Sequence, residues 1–163
     1  VAPSHPASNE GLVRWTLLKE RASAARFVGL WSAAPSAELG AGDANDRVRG
    51  LVRPFEVVIL GIGADGHAAS WFPQAQGLAA ALGDSAPMVV AIKAEKSAAT
   101  GDHLERLTLS LRAIRDARLV ILLMTGDEKR RAFAQACRKG AVDDMPVRAI
   151  LRARPDIWAC WAP

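Results

Sequence analysis

The apolar run Val57-Val58-Ile59-Leu60 empties directly into Gly61-Ile62-Gly63-Ala64-Asp65-Gly66-His67. A continuous aliphatic run bounded by turn residues reads as a strand buried on both faces, as in parallel sheets. Ligands of open α/β sheets bind outside the carboxyl ends of the strands, so this loop stands where a site is expected. Gly61, Gly63 and Gly66 permit positive φ and a close approach of backbone to a ligand, and successive N–H groups in such a loop form a concave anion seat. An imidazole such as His67 exchanges protons under mild conditions, and Asp65 is placed to orient it. The competing reading is a tight strand-to-helix turn in which His67 only satisfies a local hydrogen bond. Glycines, carboxylate and imidazole together favour a site. Ser70 is expected to cap the element that follows.

Alternating elements surround this loop. Ser8 is a plausible N-cap for a helix from Asn9 to about Ala22, in which Leu12, Trp15 and Leu18 recur at helical spacing and read as core. Arg26–Trp31 reads as a short strand or extended segment. Gly40-Ala41-Gly42 reads as a loop, with Asp43 capping a helix that Pro54 ends beyond Val52. Strands are expected at Glu56–Leu60, Met88–Ile92, Leu119–Met124 and Ile157–Trp161, with Leu107–Ser110 strand-like. Helices are expected at Gln76–Leu82, Leu111–Asp116, Asp127–Arg138 and Pro146–Leu151. The helix from Asp127 has acids in its first turn and bases in its last, as the macrodipole favours. No repeat or linker divides the chain, and strands alternating with helices argue for a largely parallel sheet.

Half of the 163 residues are hydrophobic and 23% are charged, the mix of a single globular domain with a sizeable core. No apolar run approaches the ~20 residues of a membrane span and no signal peptide is visible, so a cytoplasmic protein that binds no membrane is expected. Cys137 and Cys160 lack metal-site or redox spacing and read as small buried residues. His5, His67 and His103 have no metal-ligand spacing either. The net charge of +4 is scattered over the chain. Arg112, Arg115, Arg118 and Lys129, Arg130, Arg131 read as solvated helix faces, and no aromatic RNA-binding motif interleaves with them. A small anionic substrate is therefore favoured over nucleic acid.

The segment from Gly61 to Pro73 resembles the signature G-[MI]-G-x-D-G-H-x-A-S-L-F-P of the 6-phosphogluconolactonase family. Ser8-Asn9 resembles the family's S-N-x-x-L, Glu105–Ser110 its E-R-[IV]-T-L-T, Thr125–Lys129 its T-G-x-x-K, and Pro146–Leu151 its P-[VA]-x-x-[LI]-L. The resemblance implies a three-layer α/β fold, a mostly parallel Rossmann-like sheet with helices on both faces, of the sugar-phosphate isomerase/lactonase type. Relative to the family, a first strand, a Gly-Gly-Ser loop and an Asp-Glu-Arg segment have no counterpart. Residues 1–163 are thus expected to be a single α/β domain forming the C-terminal two-thirds of a longer chain, whose sheet would expose an apolar edge and face.

The implied activity is hydrolysis of 6-phospho-D-glucono-1,5-lactone, with His67 as general base and Asp65 orienting it or holding a sugar hydroxyl. The alternatives are a glucosamine-6-phosphate deaminase-like isomerase and a non-catalytic sugar-phosphate-binding relative. Deaminases continue their loop as A-F-N-E-P, whereas this chain continues as Ala69-Ser70-Trp71-Phe72-Pro73. The resemblance assigns substrate binding to Asn9, Gly61, Gly63, Gly66, Arg106 and Lys129. Arg106 could equally pair with Glu105 or Asp65 as a buried arginine, and Lys129 could be solvated. Gly101 occupies the place of the family's phosphate-side lysine, with His103 a conceivable substitute. Ser70 reads as a cap rather than a nucleophile, and Trp71 and Phe72 as packing under the loop. Neither metal nor organic cofactor is needed for a ring-activated ester. A monomer or weak homodimer is expected.

Overall fold

A computed structural model describes residues 1–163. In chain order the elements are α1 (Asn9–Thr16), a 3-10 turn (Glu20–Ala24), α2 (Ala37–Arg49), β1 (Val57–Gly61), α3 (Leu78–Leu82), β2 (Val89–Lys93), β3 (Glu105–Leu109), α4 (Leu111–Ile114), β4 (Leu119–Thr125), α5 (Asp127–Ala136), α6 (Val147–Ala153) and β5 (Trp158–Ala162). The central sheet is parallel, in the order β1-β4-β5, with Leu60 opposite Leu122 and Leu122 opposite Ala159. β2 and β3 form a separate antiparallel pair, Val89 opposite Leu109 and Lys93 opposite Glu105. This is the α/β architecture expected, with its parallel part concentrated in three strands.

The strands of the parallel sheet alternate between two environments. Val58, Leu60, Val120, Leu122 and Met124 are buried in one cluster with Ala132 and Ala136 of α5 and Val147 and Ile150 of α6. On the other face Val57, Ile59, Leu123 and Trp158 are exposed, Ile59 by 62%. β1 is therefore covered on one side only, unlike the doubly buried strand its aliphatic run suggests, and its outer edge carries no partner strand. An apolar edge and face are open, as expected. The β2–β3 pair is covered by α2, whose Ala44 and Val48 are buried.

Several elements depart from their sequence reading. α1 ends at Thr16, whose hydroxyl bonds back to the Leu12 carbonyl at 2.7 Å, a competitor to helix continuation. No residue of α1 is buried, and Trp15 is 71% exposed rather than core. α2 begins before the two glycines that read as a loop. Ser36 caps it by accepting the Leu39 N–H at 3.2 Å, and Glu105 Oε2 accepts the Ala37 N–H at 3.1 Å. These two acceptors offset the roughly 1 kcal/mol that each helical glycine costs. α5 ends at Ala136, before Arg138 and Lys139, so its last turn carries no base. The cation comes instead from α6. Buried Arg148 donates to the carbonyls of Gln135 (3.2 Å), Ala136 (3.3 Å) and Ala141 (2.8 Å). Cys137 and Cys160 are both exposed free thiols, not core residues. No helix is long and apolar enough to cross a membrane.

Leu122 lies in the central strand and is fully buried. Leu122→Ala is expected to cost about 2–5 kcal/mol of stability, read from urea unfolding. A cost below about 1 kcal/mol would contradict the packing described.

Candidate active site

The loop after β1 is shaped by its glycines in different ways. A Cβ on Gly63 would overlap His67 Nδ1 and lie 2.5 Å from Asp65 Oδ1, so only glycine lets the loop close on the imidazole. The turn is fixed by the Gly63 N–H donating to the His67 carbonyl (2.9 Å) and the Gly66 N–H donating to the Gly63 carbonyl (3.0 Å). Gly66 stands at φ +80° with Met145 packed against it, and its carbonyl accepts the N–H of Val147 at 2.9 Å, anchoring the loop to the start of α6. Beyond His67 the chain forms turns rather than a helix. Ser70 is consequently not a helix cap; its N–H donates to Thr108 Oγ1 at 3.2 Å. Trp71 and Phe72 are buried beneath the loop as expected, and the Phe72 ring lies 4.5 Å from the imidazole of His67.

Within this turn His67 Nδ1 and Asp65 Oδ1 are 2.6 Å apart, and the His67 backbone N–H also donates to Asp65 Oδ1 at 3.1 Å. Burial alone would push the Asp65 carboxyl up, but the side-chain and backbone hydrogen bonds from His67 outweigh it and hold the group below the usual carboxylate range. With Asp65 ionised, the proton of a neutral imidazole is assigned to Nδ1 by the hydrogen-bond network, leaving the Nε2 lone pair free. No group of three or more His, Cys, Asp or Glu side chains is assembled that would hold a metal ion.

A cleft of about 840 Å³ opens beside the pair, at the carboxyl end of β1. Asp65, His67, Gly61, Gly63, Asn9 and Lys129 all line it. Asn9 is brought there by the first turn of α1, and Lys129 by the first turn of α5. Two of the residues assigned to substrate binding do not line it. Gly66 lies against Met145. Arg106 lies with its guanidinium carbon 5.7 Å from the centre of the Phe72 ring, and donates through Nε to the His103 carbonyl (2.8 Å) and through Nη2 to the Thr100 carbonyl (3.1 Å). It pairs with neither Glu105 nor Asp65, and burial lowers its pKa from the usual guanidinium range. His103 meets His5 edge-on, ring centres 5.1 Å apart, away from the cleft lining. The cleft also takes Ser97, Thr108 and Glu128, which sequence reasoning did not single out. Glu128 adjoins Lys129 and Thr108 lies within the E-R-[IV]-T segment, so both were within reach of the motifs; Ser97 carried no signal.

A parallel sheet that delivers a glycine-rich loop, an aspartate–histidine pair and a helix start carrying Glu128 and Lys129 to one cleft defines an α/β protein of the strand-end ligand-binding class. The profile of glucosamine-6-phosphate isomerases/6-phosphogluconolactonase matches residues 1–159, and the chain belongs to that family. It is 40% identical over 165 residues to the 6-phosphogluconolactonase of Rhizobium meliloti (strain 1021), covering 100% of this chain and 69% of the relative. It is 41% identical over 164 residues to that of Mesorhizobium japonicum, covering 100% of this chain and 66% of the relative. The crystal structure of a 6-phosphogluconolactonase from Shewanella baltica OS155 superposes with a TM-score of 0.87 at 38% identity, over 99% of this chain and 66% of that one. The chain thus spans about two-thirds of the length of these relatives.

The depressed pKa of Asp65 has a consequence for stability. Its pairing stabilises the fold above the ordinary carboxylate pKa of about 3.9, and that contribution is lost as pH falls through the lower folded value. Asp65→Asn is expected to narrow the stability gap to wild type progressively below about pH 4, read from urea unfolding at a series of pH values. A gap independent of pH would contradict the pairing.

Proposed function

We propose that this protein hydrolyses 6-phospho-D-glucono-1,5-lactone to 6-phospho-D-gluconate. The observation that carries the reading is the 2.6 Å Asp65–His67 contact inside a cleft large enough for a sugar phosphate. The names of the relatives at 40% and 41% identity support the same reaction.

The chemistry follows from the tautomer. Asp65 fixes the proton on Nδ1, so Nε2 of His67 takes a proton from water as the water oxygen bonds to the lactone carbonyl carbon. The carbonyl oxygen becomes an oxyanion. The N–H groups of Gly63, Gly66 and His67 are used within the loop, whereas those of Ala64 and Asp65, on the cleft wall, have no acceptor in the chain and are the candidate donors to this oxyanion. Collapse of the tetrahedral adduct breaks the bond from the carbonyl carbon to the ring oxygen. The imidazolium returns its proton to that oxygen, and the open-chain acid leaves with a hydroxyl at the former ring position. Atoms balance with water as the only co-reactant, and the reaction as written uses no cofactor.

Recognition of the substrate falls to the cleft and its rim. Lys129 supplies a cation from the start of α5, where the helix dipole adds to it. Arg106 keeps unused N–H groups for the phosphate beside its two carbonyl contacts. Asn9, Gly61 and Gly63 meet the sugar, and Gly66 holds the turn that presents them. The proposed partner is therefore a small anionic sugar phosphate rather than nucleic acid, and the protein acts in the cytoplasm as a monomer or weak homodimer.

Lactones of this kind open spontaneously, so the test subtracts that background. In the full-length protein His67→Ala is expected to lower lactone turnover by about 100-fold or more, read in a coupled assay of 6-phosphogluconate. Near-wild-type turnover would remove His67 as the base. Ammonia release from glucosamine 6-phosphate in place of lactone hydrolysis would move the protein to the isomerase branch of its family.

A further inference from the structure

We propose that Thr108 is a positioning residue, whose buried hydroxyl holds the limb of the loop that carries His67 against β3. The inference rests on the reading of His67 as the general base.

The limb from His67 to Trp71 is not at rest in an ordinary turn. Ala69 stands at φ +51°, a left-handed backbone that is strained in a non-glycine residue. Such strain persists only where neighbouring contacts over-determine it. Those contacts flank it. The Trp71 N–H donates to the Ala68 carbonyl at 2.9 Å, and the Ser70 N–H donates to Thr108 Oγ1 at 3.2 Å. The fully buried Trp71 adds a second bond to the same strand, its indole N–H donating to the Leu109 carbonyl at 2.9 Å.

Thr108 is only 2% exposed, so its hydroxyl has lost water and depends on protein partners. It has one of each kind: it accepts from Ser70 and donates to the Leu109 carbonyl at 3.2 Å. Arg106 stands two residues earlier on the same strand, its guanidinium above the Phe72 ring that touches His67. One hydroxyl thus ties the strained limb behind the imidazole to the strand that carries the candidate anion-binding arginine. Valine would fill the same space and leave the Ser70 N–H without its acceptor.

The test uses the full-length protein and steady-state lactone hydrolysis, with Thr108→Val, Thr108→Ser and His67→Ala measured side by side. Thr108→Val is expected to lower kcat about tenfold, within the range that misplacing a reacting group costs, and to change KM less than about twofold. Thr108→Ser keeps the hydroxyl and is expected to hold kcat within about twofold of wild type. Wild-type kcat in a folded Thr108→Val would overturn the proposal. So would a loss confined to KM, which would make Thr108 a substrate contact, or a Thr108→Ser variant as slow as Thr108→Val. If the valine variant does not fold, the serine variant decides alone by keeping or losing kcat. An active His67→Ala would fell the general-base reading and this proposal with it. An inactive His67→Ala beside an unimpaired Thr108→Val would fell the Thr108 proposal only.

Discussion

His67 Nδ1 and Asp65 Oδ1 meet at 2.6 Å because residue 63 has no side chain. Any Cβ there would occupy the space in which the imidazole closes over the turn. The pair is two residues apart in sequence, and no extended or helical backbone folds such neighbours back on each other in this way. The loop does so by spending its own polar groups: two glycine N–H donors and the His67 N–H are all satisfied inside it. What the loop leaves unspent on the cleft wall is the second ring nitrogen of His67 and the N–H groups of Ala64 and Asp65. This economy makes the turn both rigid and chemically directed.

The turn is rigid only because three other elements hold it. β1 feeds it from a sheet whose buried face packs on α5 and α6. Val147, opening α6, fixes it at Gly66. β3 fixes its far limb through Thr108 and Leu109. α5 then brings Lys129 to the cleft, and its own C-terminal carbonyls are stabilised by Arg148 from α6 rather than by its own bases. The cleft is thus assembled from segments spread between Asn9 and Lys129.

The chemistry of the site was more legible in the sequence than its surroundings. The strand, the loop, Asp65 and His67 are contiguous, so a local reading captures them. Lys129 was legible because a glycine and two acids mark the start of its helix. Trp15 was misread because helical spacing predicts a face, not whether another element exists to cover it. The glycines of α2 were misread because the acceptors that offset them, Ser36 and Glu105, include one from a distant strand. The antiparallel pairing of β2 and β3 depends on register between segments twelve residues apart, which alternation of elements does not encode. Arg106 shows the limit most clearly: its place in the motif gives no sign that two of its donors are taken by the carbonyls of His103 and Thr100 in the preceding loop.

The central claim is that Asp65 keeps the proton of neutral His67 on Nδ1 and leaves Nε2 as the base. Nitrogen-15 NMR of the imidazole in the full-length protein reads this directly, at a pH where the ring is neutral. The account predicts a protonated, pyrrole-type Nδ1 with a one-bond proton coupling and an unprotonated, pyridine-type Nε2. A proton on Nε2 with a bare Nδ1 would contradict it.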